Sequence, residues 1–260
     1  MTSNSAHPFF LVPAWPAPKS IQALVTLRKS PPNIGRSSGA FAAEDGSAGL
    51  NLGLNAGEDP EVVKGNRQRL SAQLGVEFNW LTQVHGCRVA RIGTGGVSSD
   101  LPPADASWTD VPGAGLAVLI ADCLPVLFCD REGTVAAAAH AGWRGLAAGV
   151  LEETVESLPV NADRLLAYLG PSIGRSDFEV GRDVFDAFTA RDPAAAAGFK
   201  PGRAGKWYGD LQWLARRRLE ALGVTVFAEE ASTYAEPQRF YSFRRTPVTG
   251  RMAALIWIKT

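Results

Sequence analysis

Three apolar runs in the middle of the chain constrain its fold more than any other feature: "GLAVLIAD" (115–122), "LPVLFCD" (124–130) and "TVAAAAH" (134–140). Each has the length of a strand and is apolar at odd and even positions alike. A strand with one wet face alternates apolar with polar residues, so runs without alternation belong to strands covered on both faces. Turn residues separate them. Similar runs at "IQALVTL" (21–27), "WLTQV" (80–84), "CRVARI" (87–92), "LLAYLG" (165–170), "VTVFAE" (224–229) and "MAALIWI" (252–258) predict further strands. Helical patterning fills the space between them. Asp59 with Pro60 and Glu61 opens a helix that runs through "EVVKGNRQRLSAQL" to Gly75. "GLAAGVLEETVESL" (145–158), "VFDAFTA" (184–190) and "DLQWLARRRLEAL" (210–222) predict three more. The expectation is one α/β domain over residues 21–260, with a central β core and outer helices. Residues 31–49 read as a loop, "RDPAAAAGFKPGRAGK" (191–206) as an excursion, and residues 1–20, broken by Pro13, Pro16 and Pro18, as a flexible N-terminal arm rather than a signal peptide.

Composition narrows the function. The 260 residues are 46% hydrophobic and 20% charged, enough to bury a substantial core. Lys+Arg and Asp+Glu number 26 each, so no net charge draws the chain to nucleic acid or to an anionic membrane. No run reaches membrane-spanning length. Three cysteines, an odd number without framework spacing, suggest a reducing compartment and a cytoplasmic protein.

The chemistry-bearing residues sit where predicted strands end. In "AAAAHAGWRG", an apolar strand delivers His140 to a turn with two glycines that leads into a helix. Such a turn allows close backbone approach to a ligand and presents N–H groups suited to an anion, with Arg144 adding a guanidinium fork. The bland alternative is a tight turn with a surface arginine and a histidine satisfied by backbone. Cys123, beside Asp122 and before Pro125, marks a strand end; Cys129 suits a buried structural thiol. His85 closes an apolar run ahead of Gly86 and Cys87. Taken together, two imidazoles and one thiolate make a three-ligand set that zinc accepts with a fourth position open. Asp122 is placed to orient a ligand or hold a proton. No CxxC or HExxH pairing fixes such a site.

"TQVHG", "ADCLPVLF", "AAAHAGWRGL", "GPSIG" with "FEVG", and "RFYSFRR…TGRMAALIWI" occur in this order, and "LNLG" ahead of "EVVKGNRQRL" joins them. Over nearly the whole chain from about residue 21, this set resembles the laccase-domain (multicopper polyphenol oxidase-like) family of purine nucleoside-processing proteins. The resemblance implies a layered α/β/β/α arrangement and a zinc ion held by His85, Cys123 and His140. It also implies phosphorolysis of adenosine, inosine and methylthioadenosine, with deamination of adenosine in the same pocket. The partners would be a small nucleoside and phosphate. Asn51, Arg245 and Arg251, in family-like motifs, join Arg144 and Asp122 as candidate substrate contacts. Two departures stand out: Arg28 is followed by "KSPPNIGRSSGAF" rather than a "GGVS"-like turn, and Ser232–Thr233 replaces the family's Cys-Thr.

Three rival functions use the same residues. A copper-dependent phenol oxidase is compatible with His2Cys ligation, but a multicopper enzyme needs more imidazoles than three. A cysteine hydrolase acting on amide bonds of cell-wall precursors would take Cys123 as nucleophile and His85 or His140 as base. A zinc-stabilised binding module without catalysis is the third.

Overall fold

A computed structural model describes residues 8–94 and 102–260. Two large sheets are stacked face to face, with strands numbered in chain order. The first runs β1 (Phe10–Leu11), β2 (Ile21–Thr26), β14 (Met252–Ile258), β6 (Ala114–Ile120), β3 (Glu77–Trp80). The second runs β13 (Thr225–Ala228), β9 (Leu165–Leu169), β7 (Leu124–Asp130), β8 (Ala136–Ala141), β5 (Ala106–Thr109), β4 (Val89–Arg91). The pairs β3–β6, β4–β5 and β9–β13 are parallel and the other neighbours antiparallel. Helix α1 (Pro60–Leu74) covers the outer face of the first sheet. The outer face of the second is covered by α2 (Trp143–Ala148), α3 (Val150–Ser157), α4 (Arg182–Thr189) and α5 (Leu211–Ala221). The result is the expected α/β/β/α layering.

The unbroken apolar runs follow from these layers. Along β14, Met252, Ala254 and Ile256 face the inter-sheet core, while Ala253, Leu255 and Trp257 face α1. Along β7, Leu127 and Cys129 face the first sheet, and Leu124, Val126 and Phe128 face the helices. Both parities of each strand are therefore buried, and each large side chain removed from water contributes roughly 1.5–3 kcal/mol. The alanines of β8 keep the two sheets close, because Ala136 and Ala138 lie in the inter-sheet core while Ala137 and Ala139 lie under the helices.

Several elements depart from the sequence expectation, each for a local reason. The "WLTQV" run is not a strand beyond Trp80. Instead the Gln83 amide accepts from the Leu119 N–H (2.7 Å) and donates to the Leu119 carbonyl (3.0 Å), replacing backbone pairing while the chain turns away. The helix expected over 145–158 is two helices, α2 and α3, because Gly149 sits at φ +112° and its N–H returns to the Gly145 carbonyl. The short strand β5 was not anticipated. The excursion at 191–206 holds a 3-10 turn (Pro193–Gly198) and β11 (Phe199–Pro201), which pairs with β12 (Trp207–Gly209) and through it with β10 (Glu179–Val180). Of the N-terminal arm, residues 1–7, including His7, lie outside the described residues. The remainder is not loose, since Phe10–Leu11 pairs with Val25–Thr26 and Trp15 meets Tyr168 at 5.9 Å between ring centroids.

Gly149 offers a direct stability test. A Cβ there would meet nothing nearer than Glu152 Oε2 at 3.6 Å, so only backbone strain opposes a side chain. Gly149→Ala should lower the free energy of unfolding by about 1–2 kcal/mol, measured by denaturant titration.

Candidate metal centre and cavity

Two loops and the end of strand β8 bring His85, Cys123 and His140 together. One ligand atom from each lies within 4.8 Å of the others, a group that could hold a metal ion. His85 Nε2 is 3.9 Å from Cys123 Sγ, and the two imidazole rings meet edge-on with centroids 4.8 Å apart. His140 is the penultimate residue of β8 and is buried; Cys123 is half-buried in the turn from β6 to β7; His85 is exposed on the loop after β3.

Asp105 organises two of the three and was not singled out in the sequence. Fully buried just ahead of β5, it accepts the backbone N–H groups of Val84 (3.1 Å), His85 (2.9 Å) and Gly86 (2.7 Å). Its Oδ1 also lies 2.8 Å from His140 Nδ1. Burial pushes the Asp105 carboxyl up, but the hydrogen bonds from His140, Gly86 and Val84 outweigh it and hold the group below its usual value. As a carboxylate it can only accept, so His140 Nδ1–H donates and Nε2 is left for the cluster.

Two residues here hold left-handed backbone without being glycine: His85 at φ +60° and Asp122 at φ +98°. Such conformations persist where the surroundings determine them. At Asp122, Oδ1 accepts the Thr233 hydroxyl (2.7 Å), Oδ2 accepts the Arg244 N–H (2.7 Å), and the carbonyl accepts the Ile173 N–H (2.9 Å). Asp122 thus pins the turn that presents Cys123. Ser232 donates to Asp177 Oδ2 (3.0 Å) and accepts from the Gly174 and Ala235 N–H groups, fastening the loop that carries Thr233.

Gly142 forms the floor. A Cβ there would lie 3.0 Å from Cys123 Sγ, 3.0 Å from His85 Cδ2 and 3.4 Å from His140 Cε1. The space at which the three side chains converge exists because this residue has none, and two imidazoles with a thiolate are a donor set that suits a borderline-soft cation. Without a metal, burial pushes the Cys123 thiol up, but the charge and hydrogen bonds of His140 and His85 prevail and bring it to about 6. Burial pulls His140 down, but the Cys123 thiolate and Asp105 outweigh it and raise it to about 9. Cys87 and Cys129 stay out of the cluster, and burial raises both thiols, Cys129 to about 12.

The centre opens into a cavity of about 690 Å³. Trp80, Trp143, Phe178 and Phe243 provide aromatic walls, and Arg67, Arg144, Arg244 and Arg251 line it, against Asp122 as its one carboxylate among the described residues. Arg144 is exposed, its guanidinium 4.4 Å from the centroid of Trp143, and α2 behind it has only six residues, too short for a substantial helix dipole. Asn51 and Arg245 do not line the cavity. Fully buried Asn51 accepts from the Gly53 and Arg251 N–H groups and donates to Glu58. Arg245 donates to the Thr233, Tyr234 and Phe240 carbonyls. Both brace the walls from behind. The 31–49 loop stays outside as well, tied down by Arg28 Nε to the Ala42 carbonyl (2.8 Å).

A family model described as multi-copper polyphenol oxidoreductase laccase matches residues 26–259. The chain belongs to this family. A purine nucleoside phosphorylase of Pseudomonas aeruginosa is 47% identical over 252 residues, covering 96% of this chain and 98% of that one. The purine nucleoside phosphorylase YfiH of Escherichia coli is 46% identical, covering 95% and 98%. Among solved structures, a Neisseria meningitidis protein superposes with a TM-score of 0.88 at 44% identity, covering 96% of this chain and 99% of that one.

Two measurements probe the centre. Gly142 has φ −59°, so Gly142→Ala introduces no backbone strain and acts through the methyl alone. The variant should fold but lose tight metal binding, read by elemental analysis after dialysis; full occupancy would mean that the ion sits elsewhere. In metal-stripped protein, iodoacetamide should label Cys123 well ahead of Cys87 and Cys129 at pH 7. Because its thiolate forms above about 6, labelling should fall as pH drops through that value, and added metal should protect it.

Proposed function

We propose that the protein is a zinc-dependent purine nucleoside phosphorylase acting on adenosine, inosine and methylthioadenosine, with deamination of adenosine in the same site. The observation that carries this reading is the convergence of His85, Cys123 and His140 on the Gly142 floor of a cavity lined by four guanidiniums and four aromatic rings. The names of the Pseudomonas and Escherichia relatives support the phosphorylase activity. Three protein ligands with a fourth position open are the arrangement of catalytic zinc, and they leave zinc a better fit than a copper cluster, which needs more imidazoles than this chain has.

In phosphorolysis a phosphate oxygen bonds to C1′ as the bond from C1′ to the purine nitrogen breaks. The base leaves with the electron pair and takes up a proton. The chain's contribution is to bind and orient. The aromatic walls take the flat purine and shed water, and the guanidiniums neutralise the incoming phosphate. Asp105 keeps His140 in the tautomer with Nε2 free. Asp122, with both oxygens engaged, positions Cys123 rather than serving as a mobile acid. Zinc, when bound, supplies Lewis acidity and can bring the pKa of water down to about 7, the reactivity that deamination at purine C6 requires.

The 3.9 Å contact between Cys123 and His85, with the lowered thiol, favours one second reading: a cysteine hydrolase in which Cys123 attacks an amide and an imidazole takes the proton. Metal dependence separates the two. Under the favoured reading, chelation abolishes release of hypoxanthine and ribose 1-phosphate from inosine, zinc restores it, and the reaction needs added phosphate whereas adenosine deamination does not. Cys129→Ser should retain these activities and Cys123→Ser lose them. An amidase activity that survives chelation would overturn the assignment.

A further inference from the structure

Arg67 and Arg251 lie on the two sides of the segment Leu52–Gly53, of which Gly53 lines the cavity. Arg67, on α1, donates through Nε to the Leu52 carbonyl at 2.8 Å, and its guanidinium carbon stands 4.1 Å from the centroid of Trp80. The Leu52 N–H in turn donates to the Arg251 carbonyl at 2.9 Å. The Arg251 side chain crosses Gly53 so closely that a Cβ there would lie 2.5 Å from Arg251 Cγ. Gly53, Arg67 and Arg251 all line the cavity. Among the described residues neither guanidinium has a carboxylate partner, and both Nη groups of Arg67 lack a hydrogen-bond acceptor. Arg251 uses only Nη1, on the Thr249 and Gly250 carbonyls. Burial lowers both guanidiniums, Arg67 to about 10, and at Arg251 the charges of Cys123 and Asp122 offset only part of it. Guanidinium donors that face a cavity without a protein acceptor are available to an anion, with which they form charge-assisted, bidentate bonds. Surface arginines such as Arg91 and Arg203 illustrate the contrast, each paired with a carboxylate within 3.0 Å.

We propose that Arg67 and Arg251 form a phosphate-dianion subsite inside the cavity, distinct from the exposed Arg144 at its rim. Two donor forks bracketing a glycine that cannot obstruct them match the three terminal oxygens of a phosphate, and Trp80 fixes the plane of the Arg67 fork. The dianion is inorganic phosphate or the phosphate ester of a purine nucleoside 5′-monophosphate. Its presence in this pocket rests on the phosphorylase reading, but its binding can be measured without turnover.

The test uses zinc-loaded protein and calorimetric titration with inorganic phosphate, inosine and inosine 5′-monophosphate separately, alongside the KM for phosphate. Arg67→Gln should weaken a phosphate-bearing ligand by about ten- to a hundredfold, a larger factor than any accompanying loss of inosine affinity. Arg67→Lys should recover part of the loss, and Arg144→Gln should cost less than Arg67→Gln. A fall in inorganic phosphate affinity with a raised KM assigns the subsite to the co-substrate. A fall confined to the monophosphate assigns it to the ester. Unchanged affinity for both in a folded Arg67→Gln protein, or a loss seen only in Arg144→Gln, overturns the proposal. If Arg67→Gln does not fold, Arg67→Lys and Arg251→Lys decide, since both keep charge and lose the fork; normal phosphate affinity in both is the overturning result. Absence of phosphorolysis alongside Arg67-dependent phosphate binding sinks the phosphorylase reading alone. Phosphorolysis in which neither the KM for phosphate nor the affinity for the monophosphate depends on Arg67 sinks the subsite alone.

Discussion

One buried carboxylate ties the site together. Asp105 receives three consecutive backbone N–H groups from residues 84–86 and the Nδ1–H of His140, so a single side chain sets both the path of the His85 loop and the orientation of the second imidazole. Placing an ionised carboxyl where no water reaches costs several kcal/mol unless its lone pairs are filled, and here four donors fill them. The same contacts fix which atoms remain available: His140 turns Nε2 toward the cluster and His85 turns Nε2 toward Cys123. The geometry available to a metal is therefore set by a residue that does not touch it.

The stacked sheets make that arrangement rigid. β8 carries His140 in the middle of the second sheet, paired on one side with β7, whose preceding turn carries Cys123, and on the other with β5, which begins beside Asp105. The alanines of β8 allow close packing on both faces, and dense packing resists the small displacements that would open the cluster. Left-handed backbone at His85 and Asp122 is held against this scaffold by the Asp105 bonds and by Thr233, Arg244 and Ile173. Strain in the loops and stiffness in the sheets are two sides of one construction.

Much of the layering was legible in the sequence because double coverage leaves a compositional mark: "LPVLFCD" and "MAALIWI" are apolar at both parities, and both prove to lie between layers. Helix α1 was legible to its ends through Asp59, Pro60 and Gly75. The three candidate ligands were legible because rare side chains stood next to turn residues. Asp105 was not, since an aspartate before a four-residue strand looks like any loop acid, and its value depends on donors about 20 and 35 residues away. Arg67 likewise passes for a polar residue on an amphipathic helix; its setting is built from Leu52 and Trp80, which come together only in the fold. Asn51 and Arg245 err in the opposite direction. Their motifs draw attention, yet their polar atoms are consumed behind the cavity wall, by backbone groups and, for Asn51, by Glu58 as well.

The electrostatics of the cavity limit what it can hold. Four guanidiniums face one carboxylate, and that carboxylate is already committed to Thr233 and Arg244. A divalent ion on two neutral imidazoles and one thiolate would add a further net positive charge. Arg144 and Arg244 are exposed and screened by water, whereas Arg67 and Arg251 are half-buried, so an anion is of most use beside the latter two. A simple phenol offers a ring for Trp80 or Trp143 but nothing for the guanidiniums. A nucleoside accompanied by phosphate, or a nucleoside carrying one, offers both a flat base for the aromatic walls and a dianion for the charges. Under the proposed reading, the ligand chemistry that satisfies the walls and the charges together is also the chemistry that a metal held by His85, Cys123 and His140 would serve.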